Sequence, residues 1–259
     1  MRLTLLGTGT SFGVPQIGCD CATCRSSDPH DRRTRCAALL QQGDTTLLID
    51  TPPELRLQLL AAGVGRLDAV LYTHEHADHV GGIDDLRIFT QGGRPPLPLY
   101  GAESTLAFLR ESYRYIFDSG QQPFLGTSKP RLTLHRLQAG KEASIAGLSV
   151  LPLAFPHGHG TVLGFRIGEL AYVTDAKQIG AGEQDLLRGV ELLVLNALWW
   201  RPHPTHLSIP EAIEVARQIG ARRTVLTHLT HQTGHAELAA RLPAGIEPGY
   251  DGQILEVPR

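Results

Sequence analysis

Four side chains able to bind a metal crowd into one hexapeptide, His74-Glu75-His76-Ala77-Asp78-His79, directly behind the apolar run AVLYT at 69–73. Along extended backbone, residues two apart project to the same side, so the imidazoles of His74 and His76 can reach a single ion. Asp78 and His79 follow where the chain turns toward a helix start at Gly81-Gly82, within reach of a second ion beside the first. In a dry core such groups would each cost about 2 kcal/mol or more for want of partners. The hexapeptide therefore puts the end of a buried strand at a metal centre, and the fold has to bring further ligands to that point.

The rest of the sequence offers strands to do so. Apolar runs recur at 3–6, 45–50, 148–155, 170–175, 191–196 and 224–228, each closed by a polar or glycine-rich turn, as buried strands are. Helices are expected over 54–62 and 83–90. The best-marked helix follows Ser208: Ser208 and Glu211 form a capping box, Pro210 stands in the first turn, and Ile209, Ala212, Ile213, Ala216 and Ile219 repeat at helical spacing. Strands dominate the first 50 residues and mixed strand–helix units follow, which predicts an α/β protein of layered sheets with helices outside. Between 110 and 130 the sequence is irregular and aromatic, fitting either a lid or a surface excursion.

Of the 259 residues, 42% are hydrophobic, enough for a sizeable core, and 26 acidic residues against 24 basic ones leave no electrostatic footprint for nucleic acid or membrane. The start MRLTLLGTGTS lacks the apolar stretch of a signal peptide, and no apolar run approaches the ~18–20 residues that span a bilayer. A cytoplasmic protein is expected. Cys19, Cys21 and Cys24 fall within six residues, a crowding that favours metal binding over a disulfide framework. Their spacing supplies three soft thiolates from one tight loop, and tetrahedral zinc asks for one ligand more.

The His-x-His-x-Asp-His pattern resembles the signature of the metallo-β-lactamase superfamily, and the likeness continues along nearly the whole chain. Asp50 closes TTLLID, His157 stands in FPHGHG, Asp175 ends LAYVTD and His228 ends TVLTH. The resemblance implies one domain over 1–259 and a four-layer αββα sandwich, with two sheets face to face and the metals at one edge. It implies that His74, His76 and His157 bind one divalent metal and that Asp78, His79 and His228 bind another. Asp175 would bridge the two, and Asp50 would orient the ligands or the bridging water from behind. His159, two residues on, rivals His157 for its place. Five imidazoles and two carboxylates suit Zn, Mn or Fe. Two cations sharing one water lower its pKa and make hydroxide available near neutral pH.

A second set of motifs, GTGTSFGVPQIGCDCATC, HADHVGGIDDLR, THLTH and a late YDG, is similar to the branch containing the phosphoribosyl cyclic phosphodiesterase of phosphonate catabolism, near the tRNA 3′-processing endonucleases. Support is thinnest between 103 and 145. This likeness implies a separate structural zinc on Cys19, Cys21, Cys24 and His231, with Cys36 as the alternative fourth ligand. It also implies a catalytic His206 alongside Asp78; an imidazole suits proton donation around neutral pH. His203 is a weaker candidate for that role, Trp199 and Trp200 fit either the pocket lining or the core, and Arg87, Lys177 and Arg201 could meet a phosphate or be surface charges. The expected function is metal-dependent hydrolysis of a small or cyclic phosphodiester, with two catalytic metals and one zinc. The partner is then a small molecule, neither nucleic acid nor membrane, and a homodimer is compatible with the sequence. The rivals are hydrolysis of another ester, thioester or lactam, a tRNA-processing nuclease, and a non-catalytic zinc scaffold. No long basic insertion supports the nuclease, and the complete ligand set opposes the scaffold.

Overall fold

The structure, a computed structural model, describes every residue except Gln122 and Arg259. Those two positions, in the 110–130 segment and at the end of the expected domain, lie outside the described residues. In chain order the strands are β1 (Arg2–Gly7), β2 (Ala37–Gln42), β3 (Thr45–Ile49), β4 (Ala69–Leu71), β5 (Leu97–Gly101), β6 (Leu132–Arg136) and β7 (Ala143–Ile145). They continue as β8 (Leu148–His157), β9 (Gly160–Ile167), β10 (Leu170–Val173), β11 (Leu192–Asn196), β12 (Arg223–Thr227), β13 (Ile246–Pro248) and β14 (Ile254–Glu256). One seven-stranded sheet runs β14-β1-β2-β3-β4-β5-β6 and the other β13-β12-β11-β10-β9-β8-β7.

The two sheets share a pattern that locates the site. In the first, pairing is antiparallel from β14 to β3 and parallel from β3 to β6. In the second, pairing is antiparallel from β7 to β10 and parallel from β10 to β13. The fourth strand of each sheet, β3 and β10, is thus where the direction of pairing switches, and ligand sites in α/β sheets gather beyond the carboxyl ends of such strands. Asp50 follows β3 directly, and Asp175 follows β10 by two residues.

Parallel neighbours need crossovers, and here these carry helices, among them Leu55–Ala61, Glu103–Ser112, Ala181–Leu187, Ile209–Ile219 and His235–Arg241. Between the sheets lies a buried cluster drawn from both, with Leu5, Ile49 and Leu71 meeting Leu163, Tyr172 and Val194. Two further clusters seal the outer faces against helices: Val70, Leu99, Leu59 and Leu106 on one side, Leu195, Leu226, Ala212 and Ile219 on the other. Four layers result, as the sequence implied. No helix among the described residues is long and apolar enough to cross a membrane.

Local chemistry explains most elements. Ser208 and Glu211 make both hydrogen bonds of the capping box, and the helix Ile209–Ile219 stops at Gly220, which supplies the left-handed φ of 71° that closes the last turn. The expected 83–90 helix is present with those bounds and is of the 3₁₀ kind. Two expectations need correction. The helix expected to start at Gly81-Gly82 is preceded by a turn over Ala77–Val80, so Asp78 and His79 are helical themselves, with His76 at the N-cap. The 110–130 stretch is helical as far as Phe117, because Leu109 and Ile116 bury an apolar face against the outer cluster.

Candidate metal centre and active site

The candidate ligands arrive at one edge of the sandwich from the last residue of β8 and from the segments behind β4, β10, β11 and β12. Asp50, Asp175 and His228 all have positive φ, at 62°, 60° and 59°; the fourth non-glycine residue of this kind is Ala146. Left-handed backbone is costly for ordinary residues and concentrates at functional sites. The chain makes its sharpest departures from strands where three of the site carboxylates and imidazoles are turned inward.

Hydrogen bonds to outer partners fix the rings. Thr73 Oγ1 donates to Asp50 Oδ2 at 2.8 Å and lies 3.0 Å from His74 Nδ1. His79 Nδ1 donates to Asp50 Oδ2 at 2.7 Å, and His157 Nδ1 donates to the Thr205 carbonyl at 3.1 Å. The Cys36 thiol donates to the Gly9 carbonyl at 3.3 Å, leaving its sulfur to accept from His228 Nδ1 at 3.6 Å. In all four histidines the outer nitrogen is committed and Nε2 faces the centre, the arrangement that prepares an imidazole to bind a metal.

What the inner nitrogens meet decides whether a metal fits. Nε2 of His74 and of His79 are buried without a hydrogen-bond partner, an expensive condition unless another species accepts their lone pairs. Ligand atoms of His74, His76 and His157 lie within 4.8 Å of one another, as do those of His74, His79 and Asp175. His79 Nε2 is 3.4 Å from Asp78 Oδ2 and 3.3 Å from Asp175 Oδ2, while His228 Nε2 is 3.3 Å from Asp175 Oδ1. The structure thus brings all seven expected ligands into one cluster, Asp175 beside His74, His79, His157 and His228, Asp78 beside His79 and His76 beside His74 and His157, with Asp50 behind them. Three carboxylates so placed need compensating positive charge. Burial works against ionisation of Asp175, yet His228 and His79 hold it well below the usual carboxylate range. Burial likewise opposes a charge on His79, but Asp175 and Asp50 raise its pKa well above the ordinary value. His228, answered by fewer acids, is pushed down to about 4 by burial. The site is arranged for cations, and its donor set fits divalent metals.

His206 joins this centre. Its Nε2 is 3.0 Å from Asp175 Oδ1, its ring stacks on His228 with centroids 4.9 Å apart, and it forms a third candidate ligand set with His157 and Asp175. Its Nδ1 is 2.8 Å from Thr205 Oγ1 and 3.2 Å from His203 Nδ1. His159 is exposed at the β8–β9 turn, so His157 is the histidine of FPHGHG that reaches the centre. Lys177 is paired with Glu211 at 2.8 Å and Arg87 with Asp84 at 2.5 Å, which ties up two of the cations considered for phosphate.

The cysteine cluster lies close by. Cys19, Cys21 and Cys24 place their sulfurs 3.2, 3.4 and 3.5 Å from His231 Nδ1. A tetrahedral zinc with ordinary bond lengths separates sulfur from nitrogen ligands by about 3.5 Å, so these four donors need hardly move to hold one. The Cys24 amide, more than any other contact, draws the Cys21 thiol down to about 6, while burial pushes Cys24 up to about 11. Cys36 is elsewhere, buried behind His228, and the alternative that made it the fourth ligand falls.

Sequence reasoning overlooked the orienting residues Thr73, Thr205 and Cys36. It found GTGTS and YDG without their physical purpose. Asp251 of YDG accepts from the amide and hydroxyl of Thr8 at 2.9 and 2.8 Å and from those of Thr34 at 2.6 and 2.6 Å. A Cβ on Gly7 would stand 2.0 Å from the Arg35 carbonyl, so the glycine of this motif serves close backbone approach. The Thr8 carbonyl in turn accepts from the Leu229 amide at 2.9 Å, so these motifs brace the segment that carries His228.

Comparison with known proteins supplies the family. Residues 45–229 match the profile of the Beta-lactamase superfamily domain. An octanoyltransferase of Porphyromonas gingivalis is 44% identical over 255 residues, which cover 97% of this chain and 51% of that protein; the chain spans about half its length. A ribonuclease Z of a Mycobacterium species is 28% identical, covering 99% of this chain and 96% of its own. A solved structure described as a new diphosphatase from the PhnP family superposes with a TM-score of 0.91 at 40% identity, over 98% of this chain and 97% of that one. The chain belongs to the metallo-β-lactamase superfamily, as a PhnP-like member.

Proposed function

We propose that the protein is a metal-dependent hydrolase of small phosphodiesters or phosphoanhydrides, cyclic phosphodiesters among them. The observation that carries this reading is the convergence on Asp175 of two ligand sets, with unsatisfied imidazole nitrogens facing inward. Divalent metals held there supply a nucleophilic water at neutral pH and positive charge for the phosphoryl oxygens. His74, His76 and His157 would hold one metal and Asp78, His79 and His228 the other, with Asp175 between them; Zn, Mn and Fe all suit these donors. Asp50, Thr73, Thr205 and Cys36 keep the rings in register. Bonds to phosphorus are favoured over acyl bonds because the diphosphatase and the ribonuclease Z are full-length relatives at 40% and 28% identity.

His206 supplies what the ligands cannot. With the other inward groups engaged on metals, a departing alkoxide needs a proton from a neighbour, and His206 reaches the centre through Asp175 at 3.0 Å. The candidate set with His157 and Asp175 favours a second role for it, as a ligand. Metal analysis of His206→Ala separates the two.

The test of the reading is turnover of bis(p-nitrophenyl) phosphate by metal-analysed protein, with lactone, thioester and lactam controls. Phosphodiester cleavage that rises with added Zn or Mn is expected. Turnover of an acyl substrate alone would overturn the reading in favour of the acyl rival.

A further inference from the structure

Five imidazoles serve the candidate metal ligand set, and four of them are held from behind through their outer nitrogen. His76 is the exception. Its side chain is exposed, and its one hydrogen-bond contact among the described residues points inward, Nδ1 standing 3.4 Å from Nε2 of His157. Two nitrogens on one tetrahedral zinc with ordinary bonds are about 3.3 Å apart, so Nδ1 is the atom that would meet a metal. It is also the ring nitrogen nearer the main chain. Where this ligand stands is therefore set by the backbone at 75–76 rather than by a group behind its ring.

That backbone has an anchor outside the ligand sets. Glu75 stands between His74 and His76 but belongs to no candidate set, and its Oε2 accepts from Thr105 Oγ1 at 2.8 Å. A hydrogen bond to an ionised acceptor is stronger than a neutral one, and without it the Thr105 hydroxyl, 1% exposed, would lose its partner in a buried place. Thr105 lies in the first turn of the helix Glu103–Ser112, where free amides favour a carboxylate. The helix is itself immobile, since Leu106 and Leu109 are buried in the outer cluster with Val70 and Tyr72, from the stretch of chain that delivers His74. On the far side of His76, its carbonyl accepts from the amides of His79 and Val80 at 2.9 and 3.1 Å. The chain is thus pinned before and after a ring that nothing else supports. We infer that Thr105 is a positioning residue for the metal centre: its hydroxyl holds Glu75, Glu75 fixes the backbone of His76, and this strut aims the one imidazole that has no partner behind it. The inference rests on the metal-dependent reading of the site and deepens it by giving Glu75 a purpose.

The experiment is a titration of the full chain with Zn against a competing chelator, after the catalytic centre has been emptied, so that two binding steps are resolved there. His157→Ala identifies the step that belongs to His74, His76 and His157. Thr105→Val, close in volume and lacking the hydroxyl, is expected to weaken that step by about 10- to 100-fold, the usual loss when an outer partner of a metal ligand goes, and to spare the other step. Thr105→Ser keeps the donor and should bind as the parent does. Glu75→Met should repeat the loss of Thr105→Val, and the two together should lose no more than either alone, as members of one strut do. Melting of the metal-free protein is followed throughout and should be nearly the same in Thr105→Val and Thr105→Ser. Unchanged affinity in Thr105→Val would overturn the inference. So would a loss shared equally by both steps, or a serine variant as weak as the valine one, since either marks a role in the fold alone. The parent protein keeps the two failures apart: if it takes up two metals and Thr105→Val matches it, the strut alone falls; if its emptied centre takes up none, the metal-dependent reading falls and the strut with it.

Discussion

His228 and His231 stand three residues apart behind the same strand, yet they serve ligand clusters built in opposite ways. The cluster around Asp175 draws its donors from positions 74 to 228, each set by a strand end, and its inward rings are fixed from behind by groups such as Asp50, Thr205 and Cys36. The cluster around His231 draws three of four donors from one six-residue loop, whose regular structure is a single turn over Ala22–Arg25. In the first, the sheets hold the ligands and a metal is received. In the second, a bound metal would hold the loop. Removing metal should therefore cost the first cluster its chemistry and the second its fold.

The largest effect is expected at Asp175, which both ligand sets and His206 share. Asp175→Ala should lose catalytic metal and lower phosphodiester turnover by on the order of 10³-fold or more, since on the proposed function the nucleophile would be metal-supplied. The zinc on Cys19, Cys21, Cys24 and His231 should remain. Elemental analysis and kinetics on one preparation check both halves, and full activity would remove Asp175 from the bridging position.

Next comes His206→Ala, with an expected loss of roughly 10²- to 10⁴-fold on substrates with a basic alkoxide leaving group. Nitrophenolate departs without a proton, so the loss on that substrate should be much smaller. Metal content should be unchanged. Equal losses on both substrates would leave His206 an electrostatic role, and lost metal would make it a ligand.

The cysteine cluster responds in another observable. Cys21→Ser should release one zinc per chain and lower Tm by roughly 5–10 °C, because binding at such a site is coupled to ordering its loop. The catalytic metals should stay. A variant that keeps its zinc would count against the site, and one that loses zinc with no change in Tm would break the contrast with the Asp175 cluster.

The same contrast governs what could be seen in the sequence. Ligands close in sequence, such as His74 with His76 or Cys19 with Cys21 and Cys24, announce themselves by spacing. Asp50, Asp175 and His228 are visible only as polar ends of apolar runs, and the superfamily pattern is what joined them. Their left-handed backbone and the switch in pairing at β3 and β10 are properties of the assembled sheets. Thr73 and Thr205 carried no signal and Cys36 was weighed only as a zinc ligand, because a threonine or cysteine becomes an orienting group only when long-range packing sets it behind an imidazole. The capped helix at Ser208 was legible because its determinants are local. The 83–90 segment was legible as a helix but not as to its kind, since apolar spacing alone does not separate a 3₁₀ helix from an α-helix.

The smallest effect is also the most discriminating, because it exchanges one acceptor oxygen for a neutral NH₂ donor at nearly constant volume. In Asp50→Asn the side-chain oxygen can still accept from the Thr73 amide, as Oδ1 does now at 2.8 Å. The new NH₂ then faces His79 Nδ1, where a carboxylate oxygen at present accepts. Two donors cannot share that contact, so His79 must move its proton to Nε2, the nitrogen that has to be bare to bind a metal. Catalytic-metal affinity is therefore expected to fall by about 10- to 100-fold, the usual result of losing an orienting partner, and Tm of the metal-free protein to change little. The cysteine zinc, out of contact with Asp50, should bind as before. Competition against a chelator measures the first quantity and thermal melts the second. Unchanged affinity would show that His79 is held for metal by Asp78 and Asp175 alone, and a large drop in Tm would show that Asp50 braces the fold rather than the ring.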